Sequence, residues 1–329
     1  MEVLLLFVSF AVILTGALLF TNAIEWLGHR MSLGEGAVGS ILAAVGTALP
    51  ETLIAIVALL GGSKEEEVAI GAIVGAPFML ATIAMMLVGI SALAYRHRRA
   101  TGTTLDAHAP TVERDLVFFM VFFGLALPFG FGAPQEIRIA LGIVFFIGYA
   151  WYVRRTLTSG GEAQAEESLD RLIMDRVSNR PEPPIPLILI QALVGLGAMV
   201  GGAHLFVEEL LKVAESLGVA ALVLSLILAP LATELPEKVN SFFWIRDNKD
   251  SLALGNITGA VVFQSTIPVG IGLIFTGWDL SGYASLSIVL GLLGGAIAWL
   301  ALHRLDRFNG WAVAGWGLLY ATFFVVVAI

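Results

Sequence analysis

Cysteine is absent from this 329-residue chain. Its absence excludes disulfides and thiolate metal centres and leaves the redox compartment unreadable. Charge is scarce as well, at 13% of residues against roughly 25% in soluble globular domains. No H-E-x-x-H zinc signature and no G-x-S-x-G elbow occurs, which argues against the hydrolases that carry them. What the chain has instead is apolar length. Hydrophobic residues make up 58%, the mean hydropathy is +0.89, and runs of about 20 apolar residues recur from end to end. The expectation is an integral membrane protein. Its net charge of −8 says little about partners, because orientation in a membrane follows the placement of Lys and Arg.

Ten spans fit the pattern, starting near Val3, Gly36, Val68, Leu116, Glu136, Ile185, Val219, Ser251, Ala284 and Gly310. The opening "MEVLLLFVSFAVILTG" has no basic leader and stays apolar past Leu19, so it reads as a first helix that is kept. Polar breaks such as "GGSKEEE" and "HRLDRFNG" separate the spans. The longest break runs from about Thr156 to Pro184. Within it "SLDRLIMDRV" puts Leu169, Leu172, Ile173 and Val177 on one helical face, as in a short interfacial helix or a plain surface linker. Fourteen Lys and Arg residues follow odd-numbered spans, and only Lys64, Arg138 and Lys212 follow even-numbered ones. The positive-inside rule then puts both termini outside the cytoplasm.

The chain repeats itself. "GTALPET" aligns with "ATELPEK" at an offset of 186, pairing Thr47 with Thr233, Pro50 with Pro236 and Glu51 with Glu237. The same offset pairs "GALLF" at Gly16 with "GAHLF" at Gly202, and "GAIVGA" at Gly71 matches "GNITGA" at Gly255. Each half holds five expected spans, an odd number, so the second half runs inverted. The fold expected is therefore an all-α membrane protein of ten transmembrane helices, built as two inverted-topology five-helix repeats. Residues 1–157 form the first repeat, 158–184 a polar cytoplasmic linker, and 185–329 the second repeat. This is the plan of many secondary transporters.

In each repeated phrase the Thr and the Glu are four apart and share a helix face. The proline before each Glu removes a backbone donor and presses on the carbonyl four residues back, near Gly46 and Ala232. Pro230 and Pro77 act likewise on Leu226 and Ile73. Free carbonyls at membrane depth survive only against protein or a hydrated cavity. Carboxylates, hydroxyls and loose carbonyls make an oxygen-only ligand set, suited to a hard cation such as Ca²⁺. A carboxylate in mid-membrane is rare and marks a functional site, so Glu51 and Glu237 are the leading candidates at a shared midplane site. Thr47 and Thr233 are candidate ligands that could equally bond their own helix backbone.

These residues resemble the cation/calcium antiporter superfamily, and the sodium/calcium exchangers in particular. Their two repeats carry a "G-T-S-L-P-E"-like phrase followed by a "G-S-N"-like phrase. Here "GTALPE" and "ATELPE" supply the first phrase, and "VGAPF" and "TGAVV" stand where the second belongs. The resemblance implies alternating access, with Ca²⁺ exported against an inward flow of Na⁺ or H⁺. Spans one and six would slide or rock past the rest. It also implies that Gln264 occupies a ligand position. The chain departs from the pattern at Ala48, Glu234, Ala76, Ala260 and Leu80, which removes hydroxyl and amide groups that help to line Na⁺ sites in that family.

Glu234 and Lys238 are additions peculiar to the second half. Four apart, with Glu on the N-terminal side, they favour an intrahelical pair that leaves the site's charge near −2. Two alternatives are a titratable carboxylate cluster favouring H⁺ coupling, or an ammonium standing in for a monovalent cation. His204 reads as hydrogen-bonded to a neighbour rather than as a relay. Glu25, Glu208 and Glu209 read as wetted span ends, and "SKEEEV" as a solvated loop and helix start. No cofactor is expected beyond the transported Ca²⁺ with Na⁺ or H⁺ as counter-ion. The partners expected are inorganic cations and membrane lipid, with no nucleic acid and no protein partner. The location expected is the plasma (inner) membrane of a prokaryote. An intramembrane enzyme using paired carboxylates, a passive channel and a degenerate ion sensor are the competing classes.

Overall fold

The computed structural model describes residues 1–30, 43–106, 109–158, 170–175 and 182–328. For residues 43–48, 63, 109, 157, 158, 232, 235–237 and 328 it describes the backbone alone. The described chain is helical, with no strand among those residues. Helix α1 spans Glu2–Arg30, α2 Ala43–Leu59 and α3 Ser63–Met79. A π-helical turn at Leu80–Ala84 carries α3 into α4, Met85–Ala94. Next come α5 (Ala109–Ala126), α6 (Gln135–Thr158) and α7 (Ile185–Leu217). They are followed by α8 (Ala221–Thr233), α9 (Leu235–Arg246), α10 (Asp250–Gln264) and α11 (Ile267–Phe275). The last two are α12, Tyr283–Leu305, and α13, Gly310–Ala328. Seven of the described helical runs are long and apolar enough to cross a membrane. The chain is an all-α membrane protein.

Helix starts follow the apolar pattern closely at Glu2, Gln135, Ile185, Ala221, Asp250, Tyr283 and Gly310. The expected start near Gly36 lies outside the described residues. The widest disagreement is α5, which begins at Ala109 where the apolar pattern begins at Leu116. Glu113, Arg114 and Asp115 look like loop on polarity alone, yet they lie in α5, with Asp115 buried beside Arg114 and Glu113 meeting His303 near the surface.

Proline decides where the long helices give way. Pro50 and Pro230 sit inside α2 and α8. Pro77 lies inside α3, one turn before the π-turn at Leu80. Such bulges are where a helix absorbs a broken hydrogen-bond ladder. Pro236 and Pro268 instead occupy the first turns of α9 and α11, where the missing N–H costs nothing. The seventh and eighth expected spans are therefore discontinuous. One breaks at Glu234 and the other at Ser265–Thr266.

The helices sort by what covers them. Helices α3 and α10 run through the interior, and the core gathers Phe78, Phe119, Phe123, Trp316 and Phe323. Helices α1, α6, α7 and α13 present apolar side chains outward, including Leu4, Ile147, Leu193 and Leu318. An apolar outer surface of that extent suits lipid, where no hydrophobic force drives helices together and close backbone contact must do so. Small residues supply it. Helix α1 lies along α7, and a Cβ on Gly16 would come within 2.7 Å of the Gly195 carbonyl. A Cβ on Gly195 would stand equally close to the Gly16 carbonyl. Helices α3 and α8 meet at Gly71 and Gly75, against the Leu222 and Leu226 carbonyls, and Ser225 Oγ donates to the Val68 carbonyl at 2.7 Å.

Two polar staples tie these pieces. Buried Arg99 forks onto Asp250, with Nη1–Oδ1 at 2.6 Å and Nη2–Oδ2 at 2.7 Å, and also donates to the Ile245 and Thr104 carbonyls. The second staple holds the described part of the stretch between α6 and α7. Trp26 Nε1 donates to the Asp170 carbonyl at 2.8 Å, Asn22 Oδ1 accepts from the Ile173 N–H, and Gln191 Oε1 accepts from the Met174 N–H. Leu172 is buried beneath them among Ala23, Trp26, Ile188 and Ala192. The described stretch has a single 3₁₀ turn at Ile173–Asp175 rather than a longer interfacial helix, while Leu169 and Val177 lie outside the described residues.

The α1–α7 contact is testable. Gly195→Val, overpacked against the α1 backbone, is expected to destabilise the protein by about 1–3 kcal/mol and to lower Tm in detergent. The same change at exposed Gly197, two residues along the helix, is expected to leave Tm unchanged.

Candidate functional site

Glu51 lies on α2 directly after Pro50 and is only 5% exposed. Its Oε1 accepts a hydrogen bond at 3.3 Å from Nε2 of Gln264, the last residue of α10. Residues 213 positions apart are thus joined across the bundle. The Ser265 and Thr266 hydroxyls at the break both donate to the Val262 carbonyl, so the interrupted ladder is partly repaired from its own side chains.

The other break carries the charge pair. Glu234 stands between α8 and α9, and its backbone N–H donates to the Pro230 carbonyl at 3.0 Å. Its Oε2 accepts from Lys238 Nζ at 2.8 Å, and Nζ also reaches the Pro230 carbonyl at 3.3 Å. Both side chains are 2% exposed. The Gln264 amide also neighbours the Glu234 carboxylate, so one amide sits between two acids on different helices. Glu234 Oε1 and Gln264 Oε1 are buried without a donor among the described residues. Buried acceptor oxygens left that way are where a cation could be taken.

Of the other site residues expected from the sequence, Thr233 is buried and its hydroxyl donates to the Ala229 carbonyl at 3.0 Å, back along its own helix. The backbones of Gly46 and Thr47 lie in α2, just ahead of Pro50, and Glu237 lies in the first turn of α9. The side chains of Thr47, Ala232 and Glu237 lie outside the described ones. Among the described residues no three His, Asp or Glu side chains converge as a metal cluster. What converges is Glu51, Gln264, Glu234 and Lys238.

Among the other polar residues, Glu209 differs from expectation. Glu209 is not a wetted span end. It is buried, with Oε1 2.8 Å from Lys212 Nζ, on the face of α7 that also buries Phe206, Leu210 and Val213. Glu208 is exposed and shares the same ammonium. His204 lies on an exposed face of α7. Asn256 donates to Ser241 Oγ at 3.3 Å. The "SKEEEV" run does open a helix, and Glu66 Oε1 accepts from the Gly277 N–H. Glu66, Glu67 and Asp279 line an open cleft at that end of α3, with Tyr283 at its edge.

One buried acid had no signal in the apolar pattern. Asp115 on α5 takes Arg114 Nη2 on Oδ1 at 3.0 Å and the Thr258 hydroxyl of α10 on Oδ2 at 3.1 Å. Arg114 stacks over the Tyr152 ring of α6 at 5.2 Å. The contact ties α10, which ends in Gln264, to α5 and α6. A helical reading of "TVERDL" would have put Asp115 on the same face as Val112 and Phe119, and all three are buried. Thr258→Val is expected to cost about 1.5–3 kcal/mol, the usual worth of a hydrogen bond to a charged group. In a double-mutant cycle with Asp115→Asn, chemical denaturation should show losses that do not add.

Comparison with known proteins completes the picture. The family model for sodium/calcium exchanger protein matches residues 1–157 and 187–327. Sodium/calcium exchanger MaX1 of Methanosarcina acetivorans is 22% identical over 301 residues, which cover 83% of this chain and 82% of that one. Two solved structures share the fold. The crystal structure of the H⁺/Ca²⁺ exchanger CAX superposes with a TM-score of 0.72 at 19% identity, covering 100% of this chain and 82% of that one. The sodium-calcium exchanger NCX_Mj, soaked with Na⁺ and Sr²⁺, gives 0.61 at 18% identity, with 99% of each chain covered.

Proposed function

We propose that this chain, which belongs to the sodium/calcium exchanger family, exports Ca²⁺ in exchange for Na⁺ or H⁺ by alternating access at a site built on Glu51 and Glu237. It is an antiporter-type membrane transporter and not an enzyme. The observation that carries the reading is the Gln264–Glu51 contact, with the Glu234 carboxylate beside it. It joins both repeated phrases at two helix breaks, the arrangement in which transporters bind ions at mid-membrane. Thr47, Thr233 and the backbone carbonyls near Gly46 and Ala232 complete the oxygen set in this reading. Glu234 and Gln264 contribute from the second half.

Ten crossings in two inverted five-helix repeats are part of the same proposal. Loop contacts support it. Arg99 meets Asp250, His303 meets Glu113, and Trp26 meets Asp170, all between loops or helix ends assigned to the cytoplasmic face. Glu66 meets Gly277, Arg138 meets Thr276, and Gly130 meets Leu280, all on the other face. An inverted two-fold should also copy its contacts, and one copy is visible. The Gly16–Met199 approach has its counterpart, 186 residues on in one helix and 186 back in the other, in the approach of Gly202 to Ile13. Residues 1–157 and 185–329 are the two repeats, with both termini outside the cytoplasm and 158–184 within it. A prokaryotic plasma membrane is the location that goes with the proposal.

Helices α1 and α7, closely packed and tied together at Asn22 and Gln191, form the element that slides past the rest. Proton coupling has a specific observation in its favour. Ala76 and Leu80 are buried apolar residues at positions where the resemblance calls for hydroxyl and amide ligands of Na⁺. That leaves H⁺ exchange, or exchange of another cation against H⁺, as the second reading.

The test is Ca²⁺ uptake into liposomes holding the purified protein and an internal Ca²⁺ indicator. An outward Na⁺ gradient and an outward H⁺ gradient are applied separately. Uptake with at least one gradient is expected, and Glu51→Gln should reduce it by at least about ten-fold, the factor that corresponds to losing roughly 1.4 kcal/mol of cation binding. No uptake with either gradient would overturn Ca²⁺ as the substrate.

A further inference from the structure

Lys238 sets this site apart. A buried ion pair is a poor source of stability, because desolvating two charges offsets what their attraction contributes. Lys238 and Glu234 are nevertheless both buried at the break between α8 and α9, beside the acid–amide contact of Glu51 and Gln264. Their repeat counterparts are Thr52 and Ala48, so the first half has neither charge. The second half gained an acid and an ammonium together.

The ammonium is held by the kinds of oxygen that would hold an alkali cation. Nζ has a carboxylate oxygen at 2.8 Å and a backbone carbonyl, that of Pro230, at 3.3 Å. Lysine presents a compact point charge on a flexible stem, close in size to a partly dehydrated monovalent ion. Glu234 Oε1 and Gln264 Oε1 are further buried oxygens with no donor among the described residues. A carboxylate at this depth needs a counter-charge or a proton at every stage of a transport cycle. An ammonium attached to the same helix, four residues on, supplies one that never leaves.

We infer that Lys238 is a tethered cation: its ammonium fills a monovalent-cation position on Glu234, so that this position takes no transported ion. The inference rests on the antiporter reading for its consequence, which is one fewer monovalent cation moved per cycle than with the position open. Its physical core, occupancy of a cation position, is independent of transport.

The experiment measures Tm of the purified full-length protein in detergent at fixed pH. NaCl, LiCl and KCl are each compared with choline chloride at equal ionic strength. Wild type and Lys238→Arg are expected to show no specific response from this position. Lys238→Gln, which leaves Glu234 uncompensated, should gain a saturable rise in Tm with at least one alkali cation. Lys238→Gln/Glu234→Gln should lose that gain. Recovery of folded Lys238→Gln only in alkali salt would count as the same positive result. No gain in the single variant, an equal gain in the double variant, or failure of Lys238→Gln and Lys238→Met to fold in every salt would overturn the assignment. Liposome uptake separates the two conclusions. Absent Ca²⁺ uptake with the alkali gain intact removes the antiporter reading alone, and uptake without the gain removes the tethered cation alone.

Discussion

In hydrocarbon no water is available to a carboxylate, an ammonium or a broken backbone ladder, so each must be answered by another group of the chain. Most irregularity in this structure follows from that constraint. The helices of the seventh and eighth expected spans break where Glu234 and Gln264 sit, and the freed polar groups are met by Lys238, Glu51 and nearby hydroxyls. Away from those breaks, from Pro50 and from the π-turn that follows Pro77, the longest helices run uninterrupted. Helix α7 continues from Ile185 to Leu217, with a glycine in the left-handed conformation at Gly218 to end it.

The same constraint divides the molecule mechanically. Helices α1 and α7 meet through glycine backbones, and Asn22, Gln191 and the Asp170–Asp175 stretch lock them together at one end. Of their remaining faces, one is turned outward and one packs by apolar contact on α2, α3 and α8. By contrast, α3, α4, α5, α10, α12 and α13 share an aromatic core, with Arg99–Asp250 and Asp115–Thr258 as buried polar ties. A unit bound within itself by close packing, and to its neighbours chiefly by apolar contact, is one that can move as a body. Transport by alternating access would use that division.

The two halves are unequal at the site. The first half brings Glu51, with Ala76 and Leu80 buried as apolar packing. The second half brings Glu234, Lys238 and Gln264. Polar groups have thus accumulated on one side of the repeat, and the extra acid came with its own counter-charge. That balance lets a second carboxylate sit near Glu51 without adding repulsion that only a bound cation could relieve.

Membrane insertion, helical character, most helix starts and the matching phrases, with a carboxylate at Glu51 inside an apolar helix, were legible in the sequence. They rest on local properties, namely apolar length, proline position and residue identity at a fixed offset. The Glu234–Lys238 pair was legible too, because four residues on a helix is a local distance. What local pattern could not supply was the partner of each polar group. Asp115 looked like loop because its answer, Thr258, lies 143 residues away. Glu209 looked wetted because nothing in its own stretch says which face of α7 is turned inward. Gln264 was placed at the site by resemblance, whereas its bond to Glu51 comes from the end of α10 being packed beside α2. The sequence by itself determined what the chain is made to sit in and which charges need an answer there. Tertiary structure alone decided which group answers which, since in a medium without water that choice depends on which helices touch.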